Sequence, residues 1–375
     1  MRIVDRYVSA QIVGAVLFAL IAFLSLFAFF DLIGELPMVG RGGYALHHAF
    51  AYVLLGLPGY VYDLMPIAAL IGTIYALAQL AARSEFTIMR VSGLSTSGAW
   101  WILAKVGLVF VLITFLFGEV LAPAASSLAE RLKLQAQGAS VSQEFRSGLW
   151  TKDVIRREGL TGEAIGSRFL NVGDVSPQGQ LRGVRMYEFD RDLHLTSTVT
   201  AAHADYQGNN VWRLSDVTET RFDARVADFT AVVSTQKLQA RDLVSEITPD
   251  ILSVLFADPD RMSAYGLARY TRHLAENNQS TERYEIAFWK KLFYPLAVFV
   301  MMALALPFAY LHFRSGGVSL KIFIGVMIGV SFQLINSLFS HLGLLNTWPP
   351  LTTAVLPSLF FLAVAMGALT WVQRR

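Results

Sequence analysis

Six long apolar runs constrain this sequence more than any other feature, because about 20 consecutive apolar residues are enough to cross a membrane as a helix. The composition agrees, since 54% of the 375 residues are hydrophobic and 16% are charged, which is too apolar for a soluble fold of this length. The first run follows Arg2 and Arg6 as a secretory signal would, but it is longer than a signal core and has no small-residue cleavage site. We therefore predict a retained helix there. The six predicted spans are residues 8–30, 60–82, 99–121, 286–312, 320–342 and 351–372.

The short loops concentrate their positive charge on one side, which in membrane proteins is normally the cytoplasm. If both termini are cytoplasmic, the opposite short segments carry Arg41 alone, and the long segment after the third span lies outside. The net charge of +3 is then a loop bias and gives no indication of nucleic-acid binding. The residues on the predicted cytoplasmic side are Arg2, Arg6, Arg83, Arg90, Arg314, Lys321, Arg374 and Arg375.

The long polar segment between the two groups of spans has the pattern of β-strands. Leu193, Leu195 and Val199 alternate with polar residues from His194 to Thr198, which is the period of a half-buried strand. Turn-forming residues separate such stretches at 177–179, 190–192 and 208–210, and the last turn leads into a predicted strand over 211–217. Residues 249–283 have a more helical pattern.

The predicted fold class is therefore a membrane α-helical protein with six transmembrane helices, three plus three, and an inserted antiparallel β-domain. A sandwich, a jelly roll and an open half-barrel all fit the strand pattern. The chain has no cysteine, so neither disulfides nor thiolate metal ligands stabilise this domain. The predicted units are residues 1–122 with the first three spans, 123–275 with the β-domain, and 276–375 with the last three spans.

A short amphipathic helix is predicted at residues 84–93, between the second and third spans. Ser84 is a suitable N-cap, Glu85 is an acid at the positive end of the helix dipole, and Gly93 is a suitable stop. Two alternatives fit equally well, a helix lying in the lipid interface and a helix that docks on a cytoplasmic ATPase. The candidate residues for ATPase coupling are Arg83, Glu85, Phe86, Met89 and Arg90.

Several motifs that would indicate bound nucleotide, metal or catalysis are absent from the sequence or isolated in it. The chain has no G-x-x-x-x-G-K-[ST] phosphate loop, so we expect ATP and Mg²⁺ to bind a partner protein and no cofactor to bind here. His47 and His48 lack further metal ligands. Ser92 has no histidine placed as its base, since His341 belongs to the opposite membrane face. We expect neither a catalytic residue nor a metal site.

Three motifs resemble the LptF/LptG family of lipopolysaccharide export permeases, and the LptG branch more than the LptF branch. With the six-span layout, the resemblance covers nearly the whole chain. The motifs are Arg83-Ser84-Glu85 with Met89 and Ser92-Gly93, Glu119 with Ala122-Pro123, and Gly148-Leu149-Trp150-Thr151-Lys152-Asp153.

The resemblance implies a permease subunit in the bacterial inner membrane. Such a subunit belongs to an ABC transporter that extracts lipopolysaccharide and passes it to a periplasmic bridge leading to the outer membrane. It further implies a periplasmic β-jellyroll, a heterodimer with an LptF-like permease, an LptB-like ATPase dimer and an LptC-like single-span protein. The alternatives are an ABC permease for another lipid or a lipoprotein, a membrane-bound enzyme, and a non-transport membrane-anchored scaffold.

The residues that the family places against lipid phosphates are only partly present. The family carries lysines at the outer end of the first helix, where this sequence has Asp31 and Glu35, with Arg41 as the nearest cation. Lys133 stands where the family has a substrate-facing base. The substrate-binding candidates are Arg41, Arg131, Lys133, Lys290 and Lys291. The alternative for such lysines is snorkelling to the interface without further function.

The fifth span contains a pair of glycines with the small-xxx-small spacing that permits close helix packing, Gly325 and Gly329. Because the family forms a lateral gate between the fifth helix and the partner's first helix, the resemblance implies a gate role for this pair. The pattern is common in membrane helices, so by itself it predicts only a close helix contact.

Overall fold

The structure is a computed structural model. It describes residues 2–40, 42–137, 148–158, 161–176, 180–225, 230–249, 251–252, 259–277, 279–310, 318–345 and 348–374. Within these ranges six helical segments are long and apolar enough to cross a membrane, which confirms the predicted number and order. The six segments are Ile3–Met38, Leu46–Ala82, Thr96–Lys133, Glu282–Tyr310, Ser319–Leu345 and Pro350–Val372.

The helices before the sheet extend beyond the apolar runs that predicted them. The second helix begins at Leu46 instead of residue 60 and accommodates Pro58 in its interior, because neighbouring helices compensate for the lost backbone hydrogen bond. The third span continues through a π-turn, so the predicted boundary at 122/123 falls inside a continuous helical segment. The elements are α1 (Arg2–Glu35), α2 (Leu46–Ala82), α3 (Glu85–Val91), α4 (Thr96–Leu116), the π-turn (Phe117–Leu121) and α5 (Ala122–Gln137).

The helices after the sheet begin with one that precedes the fourth span, in agreement with the helical pattern predicted for 249–283. The fourth span itself is divided by short turns at Pro295 and Leu306. The elements are α6 (Ala264–Glu276), α7 (Glu282–Phe293), α8 (Ala297–Ala305), α9 (Pro307–Tyr310), α10 (Val318–Leu345) and α11 (Pro350–Gln373).

Helix α2 is the centre of the bundle. It packs against α1, α5, α8 and α10, and its C-terminal half is buried on nearly every side. The crossing with α1 is very close, since a Cβ added to Gly72 would lie 2.5 Å from Val16 Cα. By contrast, α1 leaves large apolar side chains such as Phe18 and Ile21 exposed. One face of α1 is therefore available to lipid or to another helix.

The inserted β-domain contains one six-stranded antiparallel sheet, which confirms the predicted class of the insertion. Its strands lie in sequence order, so the sheet is an open meander in which each described strand pairs with its neighbours along the chain. The strands are β1 (Leu149–Glu158), β2 (Thr161–Val175), β3 (Leu181–Asp190), β4 (Leu195–Gly208), β5 (Val211–Arg225) and β6 (Thr230–Val244).

One prediction within the sheet is wrong by two residues. Leu193 and His194 belong to the turn between β3 and β4, where Leu193 has φ +61° and is 72% exposed. Asp190 holds this turn, because its carboxylate accepts hydrogen bonds from the amides of Asp192 and His194 at 2.9 and 2.8 Å. The turn at 208–210 is confirmed, and the one at 177–179 lies outside the described residues.

The inner face of the sheet is divided into an apolar part and an ionic part. Leu170, Met186 and Val199 face one another across β2, β3 and β4 and are fully buried. Two residues farther along these strands, the Arg168 guanidinium lies 3.4 Å from Asp153 and 2.9 Å from Glu188. Because each of these charges is buried beside an opposite one, the row is compensated internally.

Burial alone would raise the pKa of the Glu188 carboxyl. Arg168, the Ser197 hydroxyl at 2.6 Å and Arg241 outweigh burial, and together they hold this pKa below its ordinary value. Glu188 is therefore ionised in the folded domain at neutral pH.

Candidate functional site

The short helix α3 lies at the end of the bundle opposite the sheet. The predicted stop at Gly93 is confirmed, since Gly93 has φ +102° and its amide donates to the Arg90 carbonyl at 3.0 Å. The Leu94 amide donates to the Met89 carbonyl at 2.9 Å, which completes a Schellman motif. The predicted side-chain cap is wrong, because Ser84 has φ +61° and its hydroxyl makes no capping hydrogen bond.

The five predicted coupling residues do not share one face of α3. Phe86 is 3% exposed and packs edge-on against the Tyr310 ring at 5.3 Å, and Met89 is partly buried in the same core. Phe86 therefore anchors α3 to the bundle, and its surface is not available for a docking contact in this structure. The Arg90 guanidinium lies over the Tyr310 ring, 4.9 Å from the ring centroid.

Two residues outside the predicted coupling set form the exposed apolar face of α3. Ile88 is 63% exposed and Val91 is 85% exposed. Their three-residue spacing places them on one side of a helix, and this signal was present in the sequence. It was missed because the anchoring face of the helix is unknown until the bundle is assembled.

Glu85 joins α3 to the first span. Its carboxylate accepts a hydrogen bond from the Tyr7 hydroxyl at 2.9 Å and lies 4.0 Å from the Arg83 guanidinium. Arg83 is mostly exposed, whereas Glu85 is only partly so. Glu85 therefore stands where α1, α3 and the surface at this end of the bundle meet.

Lys133, the first substrate candidate, is held at the other end of the bundle. Its ammonium lies 2.7 Å from Glu35 Oε1 and 4.5 Å from the centroid of the Tyr52 ring. The Tyr44 hydroxyl donates to the second oxygen of the same carboxylate at 3.1 Å. The cluster thus connects α1, α2 and α5. Arg131 lies exposed on α5, and Arg41 lies outside the described residues.

Lys290 and Lys291 both contact the segment that leads from the sheet back to the membrane. The Lys290 ammonium lies 3.4 Å from the Asp260 carboxylate. The Lys291 ammonium donates to the Asp260 carbonyl at 3.4 Å and lies 4.6 Å from the Tyr62 ring centroid. Lys291 is buried. The two adjacent lysines therefore differ in their exposure to solvent, although they contact the same residue.

Glu119 fixes the start of α6 on the third span. Its two oxygens accept hydrogen bonds from the amides of Ala264 and Tyr265 at 2.7 and 3.2 Å. These are amides of the first helical turn, which have no partner within the helix and favour a negative charge. This contact was not predicted, because it joins residues 145 positions apart.

Two cavities lie at opposite ends of the bundle. A polar cavity of about 330 Å³ lies near the sheet and is lined by residues of α1, α2, α5, α7 and the segment before α6, including Glu35, Asp63 and Lys291. An apolar groove of about 680 Å³ lies between α1 and α2 toward the α3 end, with Ile322 of α10 in its wall. Among the predicted substrate residues that the structure describes, Lys291 alone lines the polar cavity directly, and Lys133 is joined to it through Glu35.

The glycines of the fifth span make a close helix contact inside this chain. A Cβ on Gly325 would lie 2.8 Å from Ile74 Cδ1, and one on Gly329 would lie 2.9 Å from Ile67 Cγ2. The predicted close approach is confirmed, but its partner is α2. The gate role that the family resemblance implied for these glycines stays a prediction. Exposed residues of α10 such as Met327 and Leu334 face outward.

This architecture is that of a multi-span helical membrane protein with a β-domain inserted between its two groups of three helices. The sequence pattern of the family described as lipopolysaccharide export system permease LptF/LptG matches residues 6–371, and the chain belongs to this family. It is 30% identical to the lipopolysaccharide export system permease protein LptG of Escherichia coli K12 over 370 residues, covering 98% of each chain. It is 28% identical to the Haemophilus influenzae protein of the same name over 361 residues, covering 96% of each.

Proposed function

We propose that this chain is the LptG-like permease subunit of an ABC transporter. It extracts lipopolysaccharide from the inner membrane and passes it to a periplasmic β-structured bridge toward the outer membrane. The observation that carries the proposal is the similarity to proteins named as LptG over 96% and 98% of this chain. That similarity includes both groups of spans and the inserted sheet, so it extends to the whole molecule.

In the proposed complex, an LptF-like permease covers the exposed faces of α1 and α10, and an LptC-like single-span protein lies alongside. ATP and Mg²⁺ bind an LptB-like ATPase dimer beneath α3. The exposed pair Ile88 and Val91 provides the apolar contact, and Arg83, Glu85 and Arg90 provide charge. Because Glu85 also accepts the Tyr7 hydrogen bond, movement of α3 reaches the first span directly.

The cations at the sheet end receive the lipid phosphates as the proposed cargo rises. Lys133 and Lys290 are already paired with Glu35 and Asp260, so a phosphate exchanges with a carboxylate instead of meeting a free ammonium. Such an exchange keeps each charge compensated throughout. Arg131 is exposed beside this path, and it makes the first contact.

The test is ATP-driven release of lipopolysaccharide from proteoliposomes that contain this chain with an LptF-like permease, an LptB-like ATPase and an LptC-like protein. We expect release that depends on ATP, and a strong loss of release in Glu85→Ala at unchanged complex abundance. Glu163→Ala is the control, because Glu163 is an exposed acid of the sheet far from α3. A complex that hydrolyses ATP and releases a different lipid or a lipoprotein would contradict the proposed cargo.

A further inference from the structure

Helix α6 joins the sheet to the membrane bundle. Its first amides are held by Glu119 of the third span, and its apolar face packs on α7. At the other end, Asn277 caps the helix, and its carbonyl oxygen accepts a hydrogen bond from the Lys152 ammonium of β1 at 3.3 Å. This contact region between the end of α6 and the sheet is the α6–sheet joint.

His273 lies inside the α6–sheet joint. Its side chain is 7% exposed, and its Nδ1 lies 3.7 Å from Oε2 of Glu246, a residue of the segment that follows β6. The same Nδ1 lies 3.5 Å from the side-chain nitrogen of Asn277. The distance to Glu246 is longer than a hydrogen bond. The imidazole is therefore enclosed between α6 and the segment after β6, with no strong hydrogen bond from Glu246 to hold a proton on it.

The carboxylates near His273 are already compensated by arginines. Each of the three nearest acids has an arginine of its own, so none of them is reserved for the imidazole. The pairs are Glu246 with Arg156 at 3.3 Å, Asp153 with Arg168 at 3.4 Å, and Glu276 with Arg272 at 3.4 Å. Lys152 of β1 and Arg269, one turn earlier on α6, add further positive charge. A proton on His273 therefore places a buried positive charge beside carboxylates that are already paired, which is costly.

Burial makes this histidine resist protonation in the closed joint. It lowers the pKa of His273 from an ordinary value of 6.5, although the nearby carboxylates act in the opposite direction. When the joint opens, the imidazole becomes hydrated and its pKa returns toward the ordinary value. The open joint therefore binds the proton more tightly than the closed one. The closed joint is most stable above pH 6.5 and loses stability as the pH falls from there through the lowered pKa.

We propose that the α6–sheet joint is a pH-sensitive switch. Neutral His273 packs inside the joint and keeps α6 on β1, whereas a proton on His273 releases this end of α6. The hydrogen bond between Lys152 and Asn277 is then lost, while Glu119 still holds the other end of the helix. Acid on the side of the membrane where the sheet lies thus loosens the sheet from the bundle without unfolding either one. The switch itself is independent of the proposed function, and its effect on lipid transfer rests on that function.

The experiment measures the distance between α6 and the sheet in the full-length chain in lipid nanodiscs. The chain has no cysteine, so spin labels attach only to cysteines introduced at exposed positions, Ala268→Cys of α6 and Arg182→Cys of β3. We expect a narrow distance distribution at pH 7.5 and a broad one at pH 5, the range in which histidine changes its charge. Half of the narrow component should be lost at a pH below 6.5.

Substitutions of His273 separate protonation of this residue from other effects of acid. His273→Gln keeps a neutral polar side chain in the joint, so the distribution should stay narrow at both pH values. His273→Lys carries a permanent charge and should give a broad distribution at both. The matched control is His203→Gln, an exposed position of β4, which should respond to pH as the unaltered chain does. A label pair within the sheet, Arg182→Cys with Lys237→Cys, should not change, because Glu188 is still ionised at pH 5.

A pH response that persists in His273→Gln would overturn the inference. It would also be overturned by a distribution in the unaltered chain that is unchanged or narrower in acid. Neither result depends on recovery of His273→Lys.

The effect on lipid transfer is measured as lipopolysaccharide released per ATP hydrolysed, in the proteoliposomes described above. We expect a loss of release in acid that His273→Gln restores, and a loss that it does not restore would show that the joint does not control transfer. Normal release at pH 7.5 with distances that do not depend on pH removes the switch and leaves the proposed function intact. Distances that depend on pH, without release at any pH, do the reverse.

Discussion

Glu119 shows how one side chain connects the membrane bundle to the segment that carries the sheet. It lies in the π-turn of the third span, where Gly118 allows the Tyr62 ring to approach the backbone. From that turn its carboxylate reaches the first amides of α6. Movement of the third span therefore pulls directly on α6.

Glu119→Ala should loosen the first turn of α6, because two amide hydrogen bonds and a favourable charge at the helix N-terminus are lost, about 1–2 kcal/mol of local stability. The measurement is hydrogen exchange of residues 264–267 in the intact complex, and we expect faster exchange. Glu119→Gln should have a smaller effect, because the amide oxygen still accepts one hydrogen bond. Equal exchange in Glu119→Ala and in the unaltered chain would contradict this role.

Glu188 makes the stability of the sheet depend on pH. Its folded pKa is lowered from an ordinary value of 4.5, so its stabilising effect is present above that pH and is lost as the pH falls through the folded pKa. Glu188→Gln should reduce the stability of the sheet by about 2 kcal/mol at pH 7. The difference from the unaltered chain should shrink below pH 4.5.

Hydrogen exchange of β2, β3 and β4 in the full-length protein at pH 7 and at pH 4 would measure this difference. Asp242→Asn is the control. Asp242 pairs with Arg213 at the surface, with both side chains 53% exposed, and exposed pairs contribute little. If the difference in hydrogen exchange between Glu188→Gln and the unaltered chain were the same at both pH values, Glu188 would not be the group that makes the stability of the sheet depend on pH.

At the residue scale, the sequence predicted which residue types matter better than what they contact. Gly93 stops its helix as predicted, because a left-handed residue after a short helix is a local requirement. Lys133 and Glu119 stand out in the sequence, but their partners are 98 and 145 residues away. Pairing at such separation depends on the assembled bundle, which local patterns do not determine.

At the scale of elements, α3 has one face that anchors it and one that is free. Ile88→Asp with Val91→Asp should reduce recovery of the ATPase with the permease without reducing the amount of permease, because both side chains are exposed. Phe86→Ala should instead reduce the amount of permease, since removing a buried aromatic ring costs about 3–5 kcal/mol. Co-purification and quantification of both proteins distinguish the two. Full recovery of the ATPase with the double variant would eliminate this face as the docking surface.

The contact between α2 and α10 permits a second test at this scale. Gly329→Ala places a methyl group 2.9 Å from Ile67, so the helices must shift, and we expect a lower melting temperature in detergent. Gly367→Ala, in α11, is the matched control, because the added carbon meets no atom of another helix within 4 Å. Equal melting temperatures for the two variants would show that the close approach is not required.

The existence of every span was predictable from length and apolarity, whereas the ends of several spans were not. Helix α2 begins 14 residues before its predicted start, because Pro58 and the polar pair His47 and His48 interrupt the apolar run without interrupting the helix. Helix α5 is on average neither apolar nor polar, and it is held in place by packing on α2. Composition indicates where lipid contacts a helix, and packing decides where the helix ends.

At the scale of the whole molecule, the two cavities and the two sets of anchored contacts lie at opposite ends of one bundle. Helix α3 is fixed to α1 through Glu85 and Tyr7 at one end. The segment before the fourth span is fixed to the third and fourth spans through Glu119 and Lys290 at the other. Helix α2 contacts both regions, and its C-terminal half is buried. A displacement at α3 therefore reaches the sheet end through packed helices.

This arrangement transmits movement across the membrane only if the sheet and α3 lie on opposite sides of it. The loop charges predict that α3 and both termini are in the cytoplasm. The chain has no cysteine, so single introduced cysteines report on position without background. Arg213→Cys lies on the exposed side of β5, and Val91→Cys lies on the free face of α3. In intact spheroplasts a membrane-impermeant thiol reagent should label Arg213→Cys but not Val91→Cys, and Arg374→Cys near the terminus should behave like Val91→Cys. After permeabilisation all three should react, which controls for access to each site. Labelling of Arg213→Cys only after permeabilisation would place the sheet in the cytoplasm, and no transfer of lipid toward an outer membrane would then be compatible with this fold.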